Sequence, residues 1–572
     1  MTTAILARRI AQALGNEPAD LVIRCGRILN TATGTIYDAD VAIAGDTIVG
    51  IGPDYRGKRE IDAKGRIVAP GFIDTHLHIE SSLVTPAEFE KGVLPRGTTT
   101  AICDPHEIAN VLGAEGIRYF LAAARTLTLT LRVNLSSCVP ATELETSGAR
   151  LEVEDLVALA DDPAVLGLAE VMNFPGVLAA DPGLLAKLDR FALGHIDGHA
   201  PLLSGRGLDA YLATGIRTDH ECTRLDEAGE KLAMGMCILM REGSVAKNVA
   251  TLAPLLTDLT WPRIAFCTDD RNPLEITEEG HIDAAIRHAI RAGAPAIAAY
   301  RAATLGAATI FGLRDRGLVA PGYRADLVLL DDLDEVALSD VVCGGRIVEP
   351  SLFDRHDHPT PVGYGSVKRP RVTAADLVVR GTSGIVPVIG ALPFSLLTER
   401  HDLPMTARDG CLVADPAAGI LKLCVLERHG RNGNIGRGFV TGFGPVDGAI
   451  ATSIGHDSHN LIVAGSNDAD MAMAVNHLIE IQGGAAVVSH GKLLGDLPLP
   501  VAGLMSDRGF GFVRERLVPL RAAAASIGCT LKEPLLQLAF LPLPVIPHLK
   551  LTDRGYVAAT PQGLGFVPLL AT

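Results

Sequence analysis

The sequence lacks closely spaced cysteines. Its ten cysteines are scattered over 572 residues without a CxxC pair. Neither a disulfide framework nor a zinc knuckle is therefore indicated, and reduced thiols in a cytoplasmic protein are expected.

The sequence also lacks a basic tract and a long hydrophobic run. Its formal net charge is −15, with acids and bases interspersed. No segment could displace counterions from phosphates, so neither a nucleic acid nor an anionic membrane is an expected partner. The most apolar late segment, residues 538–551, is interrupted by three prolines and a lysine. It does not provide the roughly 20 apolar residues that span a bilayer. Residues 1–15 carry Arg8 and Arg9 in an amphipathic pattern, which predicts a surface helix rather than a signal peptide.

The chain is too long for a single hydrophobic core, so more than one domain is expected. The pattern of apolar and polar residues also changes along the sequence. Short β-like runs at 20–62 return at 322–347. Between them, eight apolar runs alternate with helical stretches, at 72–74, 99–103, 132–136, 165–170, 194–197, 216–218, 236–240 and 264–267. Eight such strands over some 240 residues predict a (β/α)8 barrel.

These patterns predict an α/β protein with three folding units. We assign the N-terminal helix and the first part of a small β-sandwich-like domain to residues 1–67, and the barrel to 68–310. Residues 311–360 supply the second part of the small domain, so that it is built from both flanks. Residues 361–572, rich in Gly, Pro and β-like runs with a few helices, predict a C-terminal α+β domain.

The first predicted barrel strand ends in a pair of histidines. His76 and His78 follow the apolar run 72–74, two positions apart. Side chains two apart on an extended chain point to the same side, so both imidazoles can reach one metal ion. An isolated HxH pair also occurs by chance on half-exposed strands.

Further polar residues end other predicted strands. They are Glu170 after the fourth strand, His199 after the fifth, His220 after the sixth, and Asp269 and Asp270 after the eighth. Each alone could be a core histidine or a helix cap. In a barrel all of them share one rim, a pattern typical of a dinuclear site for divalent ions bound by imidazole and carboxylate.

At this point the sequence resembles the adenine deaminases of the amidohydrolase superfamily along nearly its whole length. The resembling stretches are PGFIDTHLHIESS (70–82), GTTTAICDPHEIANVLG (97–113), GLAEVMNFPGV (167–177), DGHAPLLSG (197–205), DHECT (219–223), LMREGS (239–244), CTDDR (267–271) and IGHDSHNLIVAGSNDADM (454–471). The first stretch indicates only an amidohydrolase. Two further stretches narrow the resemblance to the adenine deaminases. One is AEVMN, with Glu170 where many relatives carry a carbamylated lysine, and the other is HDSHN.

The resemblance implies hydrolytic deamination of adenine to hypoxanthine and ammonia. It implies two divalent ions, Mn2+ or Fe2+ first and Zn2+ as an alternative. His76, His78 and Asp269 would hold one ion, His199 and His220 the other, and Glu170 would bridge them. A hydroxide between the ions would attack C6, with Asp269 as the acid–base group and Glu221 as a further proton-handling candidate. A homodimer or higher homo-oligomer is expected.

Three groups of residues keep more than one interpretation. Arg241, Glu242 and Ser244 are candidates for the purine edge, or they form a surface turn after the seventh strand. Asp104, His106 and Glu107 share the rim as supporting residues or as further metal contacts. Residues 456–460, HDSHN, form a solvated loop or contribute to the active site.

Two rival functions remain. One is an amidohydrolase that acts on another heterocycle, such as a cyclic amide, guanine or cytosine, and ammonia release from a panel of bases distinguishes it. The other is a non-catalytic scaffold that has lost its metals. The presence of all six expected ligands argues against it.

Overall fold

The computed structural model describes residues 2–354, 357–560 and 563–569. The chain begins with helix α1 (Thr3–Ala13) and five strands: β1 (Ala19–Asn30), β2 (Thr35–Ala44), β3 (Thr47–Ile51), β4 (Gly57–Asp62) and β5 (Ile67–Pro70). Eight strands follow: β6 (Phe72–Leu77), β7 (Thr98–Cys103), β8 (Thr130–Leu135), β9 (Val165–Val171), β10 (His195–Gly198), β11 (Thr218–Asp219), β12 (Cys237–Arg241) and β13 (Ile264–Cys267).

Helices separate and follow these eight strands. They are α2 (Pro86–Val93), α3 (His106–Leu112), α4 (Ala114–Ala124), α5 (Val153–Val157), α6 (Phe174–Leu178), α7 (Pro182–Arg190), α8 (Gly205–Ala213), α9 (Leu225–Ala233), α10 (Val249–Leu252), α11 (Pro273–Glu278), α12 (Ile282–Arg291), α13 (Ala296–Arg301) and α14 (Ala307–Ile310). All eight predicted strands and the alternating helices are thus present in the structure.

The eight strands form a curled parallel arrangement in two hydrogen-bonded sheets. One sheet has the order β10-β9-β8-β7-β6 and the other the order β11-β12-β13. Beyond the ends of β6 and β13, the Asp269 amide donates to the His76 carbonyl at 3.0 Å, and the His78 amide donates to the Asp269 carbonyl at 3.0 Å. Between β10 and β11, the Arg217 amide donates to the Ile196 carbonyl at 3.4 Å. The carboxyl ends of the strands therefore converge on one edge.

The composition of these elements explains their packing. All four residues of β13 are fully buried, as expected for a parallel strand covered on both faces. On α12, residues Ile282, Ala285, Ile286 and Ala289 recur at helical spacing and pack in the same core as Ile264 and Phe266 of β13. Gly293, at φ 99°, lies two residues after the end of α12 in a conformation that favours glycine.

Both flanks of this parallel unit contribute to one sheet. Strands β14 (Leu327–Asp332), β15 (Ala337–Cys343) and β16 (Arg346–Ile347) join the first five strands in the order β16-β15-β14-β5-β1-β2-β3, with β4 paired to β1. The strands that the sequence predicted as a sandwich-like domain are therefore one continuous sheet. Its centre is β5, which pairs parallel with β1 and antiparallel with β14 and leads directly into β6.

The C-terminal region is an additional α+β unit. Its strands are β17 (Val379–Arg380), β18 (Gly384–Ala391), β19 (Thr398–Met405), β20 (Ala407–Arg408), β21 (Cys411–Leu412), β22 (Leu421–Leu426), β23 (Ile435–Thr441), β24 (Ala449–Gly455), β25 (Asn460–Gly465), β26 (Gly484–Ser489), β27 (Lys492–Pro498), β28 (Leu549–Thr552), β29 (Gly555–Thr560) and β30 (Gly563–Val567). Its helices are α15 (Asp468–Glu480), α16 (Phe510–Ser526) and α17 (Pro534–Ala539). The largest sheet has the order β19-β18-β23-β22-β25-β24-β26-β27, and the turn between β24 and β25 contains residues 456–459.

None of the helices in the described residues combines the length and the apolarity needed to cross a membrane.

Candidate metal centre and active site

The two histidines at the end of β6 are held by one ring nitrogen each. Nδ1 of His76 lies 2.8 Å from Oδ2 of Asp197, and Nδ1 of His78 lies 2.9 Å from the carbonyl oxygen of Asp104. Both partners are acceptors, so Nδ1 of each neutral ring carries the proton and Nε2 keeps its lone pair. The two Nε2 atoms are thereby fixed as ligand atoms on one side of the strand end.

The carboxylate of Glu170 lies at the centre of four histidines. Its Oε1 lies 3.6 Å from Nε2 of His76 and 3.2 Å from Nε2 of His78. Its Oε2 lies 2.5 Å from Nδ1 of His199 and 3.3 Å from Nε2 of His220. Each carboxylate oxygen thus faces a different group of imidazoles, as a bridging ligand would, and Oε1 also lies 3.4 Å from Nδ1 of His106.

Asp269 lies next to the first pair of histidines, His76 and His78. Its Oδ1 lies 3.5 Å from Nε2 of His76 and 3.2 Å from Nε2 of His78. Its backbone has φ 56°, a left-handed conformation that non-glycine residues adopt at a cost of about 1–3 kcal/mol. The neighbouring Asp270 also lines the cavity over the histidines, and its Oδ1 accepts a hydrogen bond of 2.5 Å from Ser81 Oγ.

These residues fit a divalent metal ion. All six are 4% exposed or less: His76, His78, Glu170, His199, His220 and Asp269. Nε2 of His76, which faces Glu170 and Asp269, has no hydrogen-bond partner among the described residues. Most nitrogen–oxygen separations in the cluster are 3.2–3.6 Å. Two ligand atoms that each lie about 2.1 Å from a tetrahedral ion are about 3.4 Å apart, whereas hydrogen bonds are shorter.

The electrostatics of the cluster favour cations. Burial by itself lowers the pKa of His76, but hydrogen bonds to Asp197 and Asp269 and the charge of Glu170 raise it to about 10. Burial likewise opposes protonation of His199, yet the charges of Glu221 and Glu170 raise its pKa to about 9. Burial would raise the pKa of Glu170, but the neighbouring histidines, His199 first, hold it well below its usual range. Imidazoles that attract protons this strongly lie in a negative field, which also attracts a metal ion.

Glu221 and Arg241 form a buried ion pair beside the cluster. Nη1 of Arg241 donates to Oε1 of Glu221, and Nη2 donates to Oε2 at 3.1 Å. The same Nη1 donates to Oδ2 of Asp269 at 2.7 Å. Oε1 of Glu221 also lies 3.6 Å from Nε2 of His220. Arg241 therefore fixes two carboxylates at once, and its Nε has no hydrogen-bond partner among the described residues.

Glu242 and Ser244 are not brought to the cluster. Oε1 of Glu242 accepts a hydrogen bond of 2.8 Å from Nδ1 of His288, on α12. Oγ of Ser244 accepts hydrogen bonds of 3.1 Å from the amide and the side chain of Asn272. Of the three predicted purine contacts, Arg241 lies against the cluster, whereas Glu242 and Ser244 are buried against His288 and Asn272.

A cavity opens next to the ion pair. Its volume is about 130 Å3. Polar and apolar groups from the strand-end loops line one wall: Pro201, Leu202, Glu221, Thr223, Arg241, Ala246 and Asn248. Residues 394–397 of the C-terminal region form the opposite wall. A second, smaller cavity over the histidines shares Glu221 and Leu396 with the first, so the two cavities lie side by side.

The groups 104–107 and 456–460, which kept two interpretations in the sequence, both reach the smaller cavity. His106, His456 and Asp457 line it together with the predicted ligands. Nδ1 of His106 lies 3.0 Å from Oδ2 of Asp104 and 3.4 Å from Oε1 of Glu170. The HDSHN segment is therefore a buried part of the site and not a solvated loop.

Two features of the site escaped the sequence analysis. Asp197 orients His76, and its own Oδ1 accepts from the Thr218 hydroxyl and the Gly198 amide, at 2.5 and 2.9 Å. The stretch 197–205 contains Asp197, but its role becomes visible only when the fold places β10 opposite β6. Residues 394–397 carry no motif, and only the tertiary fold brings them to the cavity.

Comparison with known proteins gives consistent results along the chain. A model described as the amidohydrolase family matches residues 67–348, and one described as the adenine deaminase C-terminal domain matches residues 395–562. The chain is 58% identical to an adenine deaminase of Methylobacterium nodulans, over 97% of this chain and 98% of the relative. It is also 58% identical to an adenine deaminase of Gluconobacter oxydans, over 96% and 98%. Among solved structures, the N-acetylglucosamine-6-phosphate deacetylase of Thermotoga maritima matches with a TM-score of 0.44 and 15% identity, over 57% of this chain and 99% of that chain.

Proposed function

The chain belongs to the adenine deaminase family of amidohydrolases, and from that premise we propose that it hydrolyses adenine to hypoxanthine and ammonia. The observation that carries the proposal is the arrangement around Glu170, whose two oxygens each face a pair of buried histidines. The reaction forms a bond between C6 and a water oxygen and breaks the bond between C6 and the amino nitrogen.

The residues in the cluster would hold two divalent ions. His76, His78 and Asp269 would hold one, His199 and His220 the other, and Glu170 would lie between them. Imidazole and carboxylate donors without a thiolate support Mn2+ or Fe2+, with Zn2+ as the alternative. When bound, such ions act as Lewis acids and lower the pKa of water to near neutrality.

Asp269 is proposed as the residue that moves the proton of the attacking water. Its Oδ1 faces the histidine cluster, while its Oδ2 is held by Arg241 at 2.7 Å. A carboxylate fixed in this way can accept a proton on Oδ1 and return it to the amino nitrogen, which must leave as ammonia. Arg241 is proposed to act through Asp269 and Glu221, not as a direct purine contact.

Glu221 is proposed to serve the purine ring. Attack at C6 pushes an electron pair onto the adjacent ring nitrogen, N1. The carboxylate of Glu221 would take the second proton of the attacking water and pass it to N1, while Asp269 carries the first proton to the amino nitrogen. Glu221 lines both cavities, and its Oε1 lies 3.6 Å from Nε2 of His220. Its carboxyl group can therefore meet N1 while the amino group faces the histidines. The ring would lie along residues 394–397 in the larger cavity.

We propose also that the two parallel sheets are parts of one closed (β/α)8 barrel. The backbone hydrogen bonds beyond the ends of β6 and β13 and between β10 and β11 support closure at both seams. The division into residues 1–67, 68–310, 311–360 and 361–572 is proposed with it. The sheet formed by β1–β5 and β14–β16 supports a small domain built from both flanks. The homo-oligomer and the cytoplasmic location stay predictions.

The experiment that tests the proposal is ammonia release from a panel of bases. The purified protein, loaded with Mn2+, is incubated separately with adenine, guanine and cytosine. We expect ammonia from adenine at a kcat/KM at least about a hundredfold above that of either other base, since a site that hydrogen-bonds its substrate rejects poorly matched analogues. Preferred turnover of guanine or cytosine would instead support the other heterocyclic amidohydrolases.

A further inference from the structure

A second group of potential ligands lies where the C-terminal region meets the strand ends. It consists of His106, at the start of α3, and of His456 and Asp457, between β24 and β25. The three side chains are 3% exposed or less. His106 belongs to the parallel unit and the other two residues to the C-terminal unit, so the group joins two regions that are far apart in the sequence.

The spacing of these atoms is that of ligands and not of hydrogen bonds. Nε2 of His106 lies 3.6 Å from Oδ1 of Asp457, and Nδ1 of His456 lies 3.5 Å from the same oxygen. Both separations are close to the roughly 3.4 Å expected of two atoms that bind one tetrahedral ion. By contrast, Nε2 of His477 lies at the hydrogen-bonding distance of 3.0 Å from Oδ2 of Asp496 in a partly buried pair of the same region.

The orientation of His106 leaves a lone pair without a partner. Its Nδ1 lies 3.0 Å from Oδ2 of Asp104, an acceptor, so the proton of the neutral ring is on Nδ1. Nε2 then presents a lone pair towards the carboxylate of Asp457. Of the three atoms that face one another, Nε2 of His106 has no hydrogen-bond partner in the described parts of the chain. Two opposed lone pairs in a buried place require a positive charge between them.

The surroundings are rich in carboxylates. Asp104, Glu107 and Asp457 are each 2% exposed or less, and in the described residues their ion pairs are formed with histidines alone. Buried carboxylates need a compensating charge, and the ion pairs provide no lysine or arginine here. A divalent cation would supply that charge.

The segment that carries His456 and Asp457 is firmly held. The buried guanidinium of Arg428 donates to the His459 carbonyl and, at 2.9 Å, to the Ala502 carbonyl. Oγ of Ser458 donates to Oε2 of Glu145 at 2.6 Å, and Nδ2 of Asn460 donates to the Thr146 carbonyl at 2.9 Å. The segment is thus fixed to the parallel unit directly after the ligand group, which favours a preformed site.

We propose that His106, His456 and Asp457 form an additional cation site, separate from the Glu170 cluster, that holds a borderline divalent ion such as Zn2+, Fe2+ or Mn2+. Two imidazoles and one carboxylate are a ligand set for this class of ion. The site ties the C-terminal unit to the strand ends beside the active site. It is independent of which base the protein deaminates.

The experiment counts metal ions in the full-length protein. Apo-protein is titrated with Zn2+, freed of excess by gel filtration and analysed by mass spectrometry of the metal. The wild type should retain one equivalent more than the double variant His456→Ala/Asp457→Asn. The matched control, His477→Ala/Asp496→Asn, removes the hydrogen-bonded His–Asp pair of the same region and should retain the wild-type count. Equal counts in the wild type and the ligand variant would overturn the proposal.

A second measurement needs no variant and so does not depend on how well one folds. Crystals of the Zn2+-loaded wild type are measured at the zinc absorption edge. An anomalous peak flanked by His106, His456 and Asp457 is the expected result. Peaks confined to the Glu170 cluster would overturn the proposal. The positive charge between His106, His456 and Asp457 would then be a shared proton. Either outcome is independent of ammonia release, so the two proposals can fail separately.

Discussion

Arg241 holds Asp269 by one oxygen only. Nη1 of Arg241 donates to Oδ2 of Asp269 at 2.7 Å, while Oδ1 of the same carboxylate lies 3.2 Å from Nε2 of His78. The pairing leaves one oxygen for the reaction and prevents the carboxylate from rotating. Asp270, its neighbour in sequence, is instead bound to Ser81.

This difference predicts unequal effects of two matched substitutions. Asp269→Asn should lower kcat for adenine by about a hundredfold or more, because an amide cannot accept the proton of the attacking water. Asp270→Asn should cost less, since it changes a hydrogen bond to Ser81 and not the proton carrier. Both variants are compared at equal metal content. A dead Asp270→Asn with an active Asp269→Asn would exchange the two roles.

Glu170 should tolerate a shorter carboxylate better than a neutral amide. Each of its oxygens faces a different histidine pair, so both oxygens need negative charge. Glu170→Gln should therefore lose more activity and more bound metal than Glu170→Asp. Metal content and kcat are measured for both variants prepared in parallel. Full activity of the Gln variant would reduce Glu170 to a structural role.

Asp197 should act through His76. Its Oδ2 holds Nδ1 of the ring at 2.8 Å, and substitution by Asn offers that nitrogen a less basic partner. Loss of such an outer partner typically costs about tenfold to a hundredfold in metal affinity or activity. Competition with a chelator should show weaker metal binding by Asp197→Asn. If Asp197 acts only through His76, a higher metal concentration should restore the kcat of Asp197→Asn. Added metal would not restore the activity of a misfolded site.

Metal binding should release protons and tighten as the pH rises. Without a cation, Asp197, Asp269 and Glu170 overcome burial and raise the pKa of His76 to about 10, and Glu221 and Glu170 raise that of His199 to about 9. Both rings are then protonated at pH 7, and a cation must displace their protons. Affinity should rise by about tenfold per pH unit for each proton released, until the pH approaches 9. Calorimetry at pH 7 in buffers of different ionisation enthalpy measures the protons. A binding enthalpy that is the same in every buffer would contradict the prediction.

Local pattern was sufficient for much of the fold. The strand that ends at His76 and His78 is a short apolar run, and β13 is fully buried, so length and hydrophobicity identified both. The shared rim then followed from the parallel alternation of strands and helices. The sequence predicted a sandwich-like small domain from both flanks, and the structure shows the strands of both flanks in one continuous sheet. The pairing of β5 with β14 joins strands some 260 residues apart, which a local pattern does not reveal.

The remaining parts of the site depend on contacts that local pattern does not record. Asp197 acts on a histidine 121 residues earlier in the chain, and Ser458 on a glutamate 313 residues earlier. Glu242 and Ser244 were predicted as purine contacts from their position after β12, but the turn directs them to His288 and Asn272. Which way a loop side chain points after a strand end depends on the neighbours it meets.

The central claim is that this site adds water to C6 of adenine, and the most direct test is the fate of the oxygen. The Mn2+-loaded protein is incubated with adenine in water enriched in oxygen-18, and the purine product and ammonia are quantified by mass spectrometry and a coupled assay. The account predicts hypoxanthine labelled at C6 with one ammonia per molecule formed, and loss of both products in Asp269→Asn. Adenine recovered unchanged from fully metal-loaded wild-type protein would contradict it.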